Sequence, residues 1–318
     1  MSNKMPRRKL EYLRLAVTAR CNLRCLYCRP PDQDRETDVL SGEEVVRFAT
    51  LAARCGLHKV RLTGGEPLLR SDITEIVRRL SADEMIADLS LTTNGTMLAR
   101  LAPELREAGL RRVNIGLPAL DPEVYRRVTR NGRVEDALAG LEAALEVGFS
   151  PVKVNVVVIR GVNEDQVVPL AGLARRMPLE VRFIEYMPFL EGSERPRERL
   201  VPADEILAAL GKLGRLEPLE RSRGPASARL YRLAGHRGTI GLITPHTDPF
   251  CHSCNRVRLT AQGRLRACLI DGGERDVLGA IRAGLDLPTM ERLLRWASEM
   301  KPALHSGVFA GCMHRIGG

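Results

Sequence analysis

Aromatic residues are scarce: five tyrosines, six phenylalanines and one tryptophan make up 4% of 318 residues. That is too few to build base-stacking platforms along a nucleic-acid strand. No uninterrupted apolar run approaches the ~18 residues of a membrane span, and the opening MSNKMPRRKLEYLRL lacks the apolar core of a secretory signal. A cytoplasmic protein is expected. Lysine is nearly absent, with 6 against 43 arginines in a chain of net charge +10. The arginines are dispersed in pairs such as Arg111–Arg112, Arg126–Arg127 and Arg175–Arg176 rather than gathered in one stripe. Such a balance suits a polyanionic small molecule as well as a nucleic acid.

What is present is ordinary globular composition, 44% hydrophobic and 28% charged, with length for about two domains. Eight cysteines in a cytosolic chain point to metal or redox work rather than disulfides. Six fall into two tight groups, Cys21, Cys25 and Cys28, then Cys251, Cys254 and Cys268; Cys55 and Cys312 stand apart and read as packing residues.

The first 190 residues alternate β-rich runs with helical patterns. Strands are expected at Leu13–Val17, Lys59–Thr63, Leu89–Thr92, Val113–Leu117, Val152–Ile159 and Val181–Ile184. Helices are expected between them, among them Glu43–Ala53, Ile73–Leu80, Val134–Val147 and Gln166–Met177. Six such units imply an α/β fold, a parallel sheet curling into an incomplete (β/α)6 barrel over residues 1–190. After Pro188, EGSERPRERLVP reads as a linker to a smaller α+β region over 191–318, with a helix from Asp204 to Leu213, strands at Leu230–Leu233 and Thr239–Ile243, and helices at Asp276–Ala283 and Pro288–Met300.

The strands are not the continuous apolar runs of a sheet covered on both faces. Lys59, Arg61 and Thr63 alternate with Val60 and Leu62, Lys153 and Asn155 with Val152, Val154 and Val156, while Arg14 and Arg182 each sit between apolar neighbours. One face takes the helices. The other is cationic, and buried cations need water or an anion to compensate them, so the lumen is expected to hold an anionic ligand.

Three motifs carry chemistry. Cys21, Cys25 and Cys28 form C-x3-C-x2-C on the loop after the first strand, three thiolates that hold three irons of a cubane and leave the fourth open. A structural zinc is the alternative, but it takes four ligands and no fourth is nearby in sequence. Thr63-Gly64-Gly65-Glu66-Pro67 closes the second strand, its glycines permitting close backbone approach to a ligand edge and Glu66-Pro67 fixing the next turn. Cys251, Cys254 and Cys268 form a second three-cysteine set, C-x2-C-x13-C, in which His252 is an awkward fourth ligand for zinc. Arg256 and Arg258 share one face if that stretch is extended, presenting forked donors suited to phosphate.

The first cysteine motif resembles the signature of the radical S-adenosylmethionine superfamily. Together with RLTGGEPLLR, LTTNG, KVNVV, RFIEYM, CHSCNRVRL and the terminal IGG, the whole chain resembles the GTP 3′,8-cyclases of molybdenum-cofactor biosynthesis. The resemblance implies two [4Fe–4S] clusters on the two cysteine sets, and S-adenosylmethionine bound at the first, near Tyr27, Gly64, Gly65, Glu66 and Met187. It places GTP against Arg14, Lys59, Arg61, Thr92, Lys153, Arg182, Arg256 and Arg258, with the Gly317-Gly318 tail reaching the active site. It implies an external electron donor, a downstream cyclic pyranopterin monophosphate synthase, and a homodimer. The chain departs from the family pattern at Ala16 and Ala19, at Arg29, and at Gly116 and Pro118, where members usually carry the Ser and Asp of V-S-L-D. These changes keep a second reading open, a paralogue acting on another substrate such as a peptide, and a third, a non-catalytic metal or nucleic-acid binder.

Overall fold

The computed structural model describes residues 8–28, 40–189, 198–220, 227–307 and 313–316. The first six strands are β1 (Tyr12–Ala16), β2 (Lys59–Thr63), β3 (Asp88–Thr93), β4 (Arg112–Gly116), β5 (Val152–Val158) and β6 (Leu179–Glu185), all parallel. Between them run α1 (Gly42–Arg54), α2 (Ile73–Ser81), α3 (Leu98–Glu107), α4 (Pro122–Thr129), α5 (Val134–Glu146), α6 (Val167–Ala171) and α7 (Leu173–Arg176). The starts of these helices are written locally. Ser41 and Glu44 close a capping box on α1, and Asp121 caps α4 just before Pro122 at its first position.

The helix expected over Gln166–Met177 is broken. A single 3-10 turn at Glu164–Gln166 leads into α6, and Gly172 separates α6 from α7. Pro169 has no N–H to give a continuous ladder, and Gly172 adds no helix propensity.

The C-terminal part comprises α8 (Ala203–Gly211), β7 (Leu216–Pro218), β8 (Arg229–Leu233), β9 (Thr239–Ile243), β10 (Arg256–Leu259), β11 (Arg264–Arg266), β12 (Glu274–Asp276), α9 (Leu278–Arg282), α10 (Leu287–Glu299) and α11 (Met313–Ile316). Asp276 therefore ends a strand instead of starting a helix. These strands do not form a sheet of their own. β9 adds in parallel to β6 and β10 adds in parallel to β1, giving the order β12-β11-β10-β1-β2-β3-β4-β5-β6-β9-β8-β7. The sheet is open, as an incomplete barrel requires, and the C-terminal residues flank both of its edges. One hydrophobic core, including Leu13, Leu15, Val60, Leu62, Val113, Val154, Val181 and Val257, packs the outward face against the helices.

Candidate active site

The inward face surrounds one cavity of about 310 Å³, lined by all six clustered cysteines together with Arg14, Arg61, Arg182, Arg256 and Arg258. The strand register dictates the arrangement. Arg258, Arg14 and Arg61 are direct neighbours across β10, β1 and β2, and Thr92, Asn114 and Lys153 across β3, β4 and β5. The first cysteine loop follows the C-terminal end of β1. The second precedes β10, which runs parallel to β1, so it enters at the opposite end, and Cys268 joins it there because β11 runs antiparallel. About 13 Å of strand, four rises of 3.3 Å, separates the two ends. The cationic rows lie between.

The lumen holds polar atoms that the protein itself does not satisfy. Arg14 Nε, Thr92 Oγ1 and Asn155 Oδ1 on the lining, with Asn114 Oδ1 and the Tyr12 hydroxyl on neighbouring strand positions, are buried with no hydrogen-bond partner among the described residues. Such atoms are costly unless a ligand or water reaches them. Burial, reinforced by Arg14 and Arg182, pulls the Arg61 guanidinium down to about 9 despite Tyr12 nearby, and burial with Arg14 and Arg256 holds Arg258 well below its ordinary value. A polyanion between these residues reverses both penalties. The donor set suits a polyanion.

The cysteine loop is braced from below. Leu26 N–H donates to Val128 O and Arg24 N–H to Thr129 O, tying the loop to the end of α4. Asn94, in LTTNG, donates from its amide to Asn22 Oδ1 at 2.8 Å, and its backbone N–H donates to Glu66 Oε2 at 2.7 Å. Burial pushes the Cys25 thiol up to about 12, with Cys21 adding to it. At the other set burial would also raise Cys254, but Lys301 and Arg256 pull it down to about 7. Among the described residues no three His, Cys, Asp or Glu side chains converge closely enough to hold a single metal ion. A cubane takes one thiolate at each iron corner, so its ligands stand further apart than those of a single ion; both sets are free thiols that line the chamber.

Several residues singled out in the sequence sit elsewhere than expected. Lys59 is exposed at the start of β2 and does not line the cavity. Lys153 is inside, but its ammonium is engaged by Glu180 and it stands just behind the lining. Gly64 and Gly65 do line the cavity, yet their lack of a side chain serves the protein's own backbone. A Cβ on Gly65 falls 2.2 Å from Arg20 O, and one on Gly64, whose φ is +151°, 2.3 Å from Thr18 O. The glycines let the second strand's loop press against the cysteine loop. Glu66 is fully buried, accepting from Leu68 N–H, Asn94 N–H and the Thr93 hydroxyl, and burial raises it to about 7 against those three bonds. Its carboxylate joins the loops after β2 and β3 and does not line the cavity. Tyr27, Thr92 and Met187 line the chamber. Met187 packs beside Cys268, Leu269, Met313 and the buried Ile316, so the last described turn lies against the site. Gly317, Gly318, Arg29 and Cys312 lie outside the described residues.

Sequence reasoning missed Asn22, Asn94, Lys301 and His305, of which Asn94 and His305 line the cavity. The rarity of lysine was the available signal for Lys301.

An open parallel sheet carrying a three-cysteine loop after its first strand defines a radical S-adenosylmethionine protein. Residues 15–174 match the Radical SAM superfamily, and residues 179–307 match Molybdenum Cofactor Synthesis C. The chain is 45% identical over 302 residues to the GTP 3′,8-cyclase of Pelotomaculum thermopropionicum, covering 94% of this chain and 93% of that protein. It is equally 45% identical, over 304 residues, to the GTP 3′,8-cyclase of Moorella thermoacetica, again covering 94% and 93%. Streptococcus suis SuiB bound to S-adenosylmethionine superposes with a TM-score of 0.62 at 13% identity, covering 90% of this chain and 68% of SuiB, a likeness of fold alone. The chain belongs to the GTP 3′,8-cyclase family of radical S-adenosylmethionine enzymes. Its cofactors are S-adenosylmethionine and two [4Fe–4S] clusters.

Proposed function

We propose that this chain converts GTP to (8S)-3′,8-cyclo-7,8-dihydroguanosine 5′-triphosphate, the first step of molybdenum-cofactor biosynthesis. One observation carries the reading: five arginines and two three-cysteine sets share a single chamber, with the cations between the thiols. A peptide substrate has no need of that row of guanidiniums.

Cys21, Cys25 and Cys28 hold one cluster, with Tyr27, Gly64, Gly65 and Met187 around its S-adenosylmethionine. Cys251, Cys254 and Cys268 hold the other. When bound, the first cluster and S-adenosylmethionine supply one-electron chemistry that removes a hydrogen atom from an unactivated carbon. The chain itself provides position. Arg14, Arg61 and Arg258 are fixed side by side by strand register, so their forked donors neutralise phosphate without reorganising. Lys153 and Arg182 extend that field from β5 and β6, and Thr92 offers its unpartnered hydroxyl. Arg256 packs with its guanidinium carbon 5.0 Å from the Phe250 ring centroid, beside the second cysteine set, where it orients the nucleotide's other end. Holding ribose C3′ and guanine C8 of one molecule in a fixed conformation is the effective-concentration gain that makes ring closure competitive. Lys59 at the rim and the Gly317-Gly318 tail belong to the same reading.

The reading includes an external electron donor, a downstream cyclic pyranopterin monophosphate synthase, a cytoplasmic setting and a homodimer. Among the described residues no helix is long and apolar enough to cross a membrane. Anaerobic incubation of reconstituted protein with GTP, S-adenosylmethionine and dithionite tests the activity. The expected result is the cyclised nucleotide together with 5′-deoxyadenosine; 5′-deoxyadenosine alone would overturn the cyclase and leave the radical chemistry standing.

A further inference from the structure

The segment after α10 lies against the second cysteine set as a strap. Arg8 fastens it: one guanidinium nitrogen donates to Cys251 O at 2.7 Å and another to Pro302 O at 2.8 Å. Ser298 Oγ returns a bond to Arg8 O at 2.7 Å, and the His305 ring bonds Pro245 O at 2.8 Å. Between these anchors Lys301 points inward. Its Nζ lies 3.5 Å from Cys254 Sγ and 2.9 Å from Ala267 O, the residue immediately before Cys268. The ammonium therefore contacts one thiol directly and the backbone leading to another.

Nothing in the nucleotide-binding scheme uses this residue. It does not line the cavity. Only 6 lysines occur in a chain with 43 arginines, and this one occupies a position where a compact ammonium with three freely directed donors reaches both a sulfur and a carbonyl. Cluster potentials depend on net charge and on hydrogen bonds to the sulfurs. Reduction adds one negative charge to the cluster, and a cation at hydrogen-bond range stabilises the reduced form more than the oxidised one.

We propose that Lys301 is a positioning residue for the C-terminal cluster, its ammonium bonding Cys254 and fixing the Cys268 turn so as to raise that cluster's reduction potential. The inference rests on assigning the second cluster to Cys251, Cys254 and Cys268.

The test uses the full chain with Cys21, Cys25 and Cys28 replaced by Ala, so that only the second cluster is loaded. Iron content and a dithionite titration followed by electron paramagnetic resonance are compared between this parent and versions also carrying Lys301→Met or Lys301→Arg. The expected result is about four irons per chain in each. At a fixed poise the Met version shows a reduced-to-oxidised ratio about tenfold lower, equivalent to about 59 mV for one electron, and Arg restores most of it. Loss of iron in the Met version alone would show that the ammonium is needed to hold the cluster and overturns a role in setting its potential. An unchanged potential in the Met version, or equal loss of iron in both, overturns the proposal for Lys301. A parent that takes up no iron overturns the ligand assignment itself.

Discussion

Lys153 Nζ lies 3.2 Å from Glu180 on the neighbouring strand, and Arg182 takes the other oxygen of the same carboxylate. Two cations proposed to meet the triphosphate thus share one internal counter-ion. Burial would push Glu180 up, but Arg182 and Lys153 together hold it below its ordinary range. The carboxylate makes this wall of the chamber stable without substrate, and it competes with the phosphates once GTP arrives.

Glu180→Gln removes that competitor. The free protein is expected to lose about 3 kcal/mol, because two cations near the chamber floor lose their partner. GTP is expected to bind about fivefold more tightly at low ionic strength, a gain that fades with salt. Calorimetric titration with GTP and thermal unfolding of the same variant read both effects. Weaker GTP binding would show that Glu180 aims the cations rather than restraining them.

The same pair sets a pH dependence. Burial and Arg182 pull the Lys153 ammonium down to about 8, against the opposing pull of Glu180. Below pH 8 the side chain is charged; above it the charge is lost, so GTP affinity falls by up to about tenfold between pH 8 and pH 9. Folding responds with the other sign. The unfolded chain keeps this proton to about 10.4, so between pH 8 and that value the unfolded state binds more protons and stability rises with pH. Lys153→Arg takes the step near pH 8 out of both profiles, since a guanidinium at that position holds its proton to higher pH than the ammonium. Binding and unfolding measured across pH 7 to 10 check the pair of slopes together.

The cationic lumen was readable because the pleat forces alternate residues to opposite faces: Arg14 between Leu13 and Leu15, and Arg182 between Val181 and Phe183, leave no other arrangement. Lys59 breaks the pattern for an end effect. It opens β2, where the inward face has already reached solvent. The C-terminal strands were located at Leu230–Leu233 and Thr239–Ile243, but not their partners. Strand pairing across 244 residues, as between β1 and β10, leaves no periodic trace in either segment. The Gly-Gly pair was visible as a close approach, whereas what it approaches is a tertiary fact: Thr18, Ala19 and Arg20 rather than a ligand. Glu66 and Lys301 act through partners far away in sequence, and composition only hinted at the second.

Gly65→Ala tests that close approach. Its Cβ would lie 2.2 Å from Arg20 O and 2.6 Å from Arg20 C, backbone atoms that cannot swing aside. The loop carrying Cys21 must shift, at a cost of about 2 kcal/mol. Iron per chain is expected to fall from about eight toward about four, on a count of four per cluster. A variant with unaltered melting temperature and full iron content would show that the loops are not mutually braced.

Loss of either cysteine set should be selective. Cys268→Ala is expected to halve the iron content while S-adenosylmethionine still binds, because Cys21, Cys25 and Cys28 stand at the other end of the strands. GTP-dependent cyclisation is expected to stop. Equal loss of both clusters would mean that the two ends of the chamber fold as one unit.

The sequence resemblance implies a serine at the position of Gly116, and the surroundings of that glycine say what a hydroxyl there would meet. It lies on the cavity wall at the end of β4, and a Cβ there would meet nothing nearer than Thr93 O at 3.8 Å. A serine, the residue the resemblance implies at this position, would therefore fit without a clash. Gly116→Ser should fold as well as the parent, within about 0.5 kcal/mol, since a strand glycine is replaced without a clash. If the hydroxyl meets the adenosine, one added hydrogen bond of about 1 kcal/mol tightens S-adenosylmethionine about fivefold. GTP affinity should change less, because Gly116 ends β4 at the C-terminal ends of the strands, where the first cysteine loop stands. Calorimetric titration with each ligand separates the two. Unchanged S-adenosylmethionine binding in a well-folded Gly116→Ser protein would mean that this chain seats the adenosine without using the fourth strand.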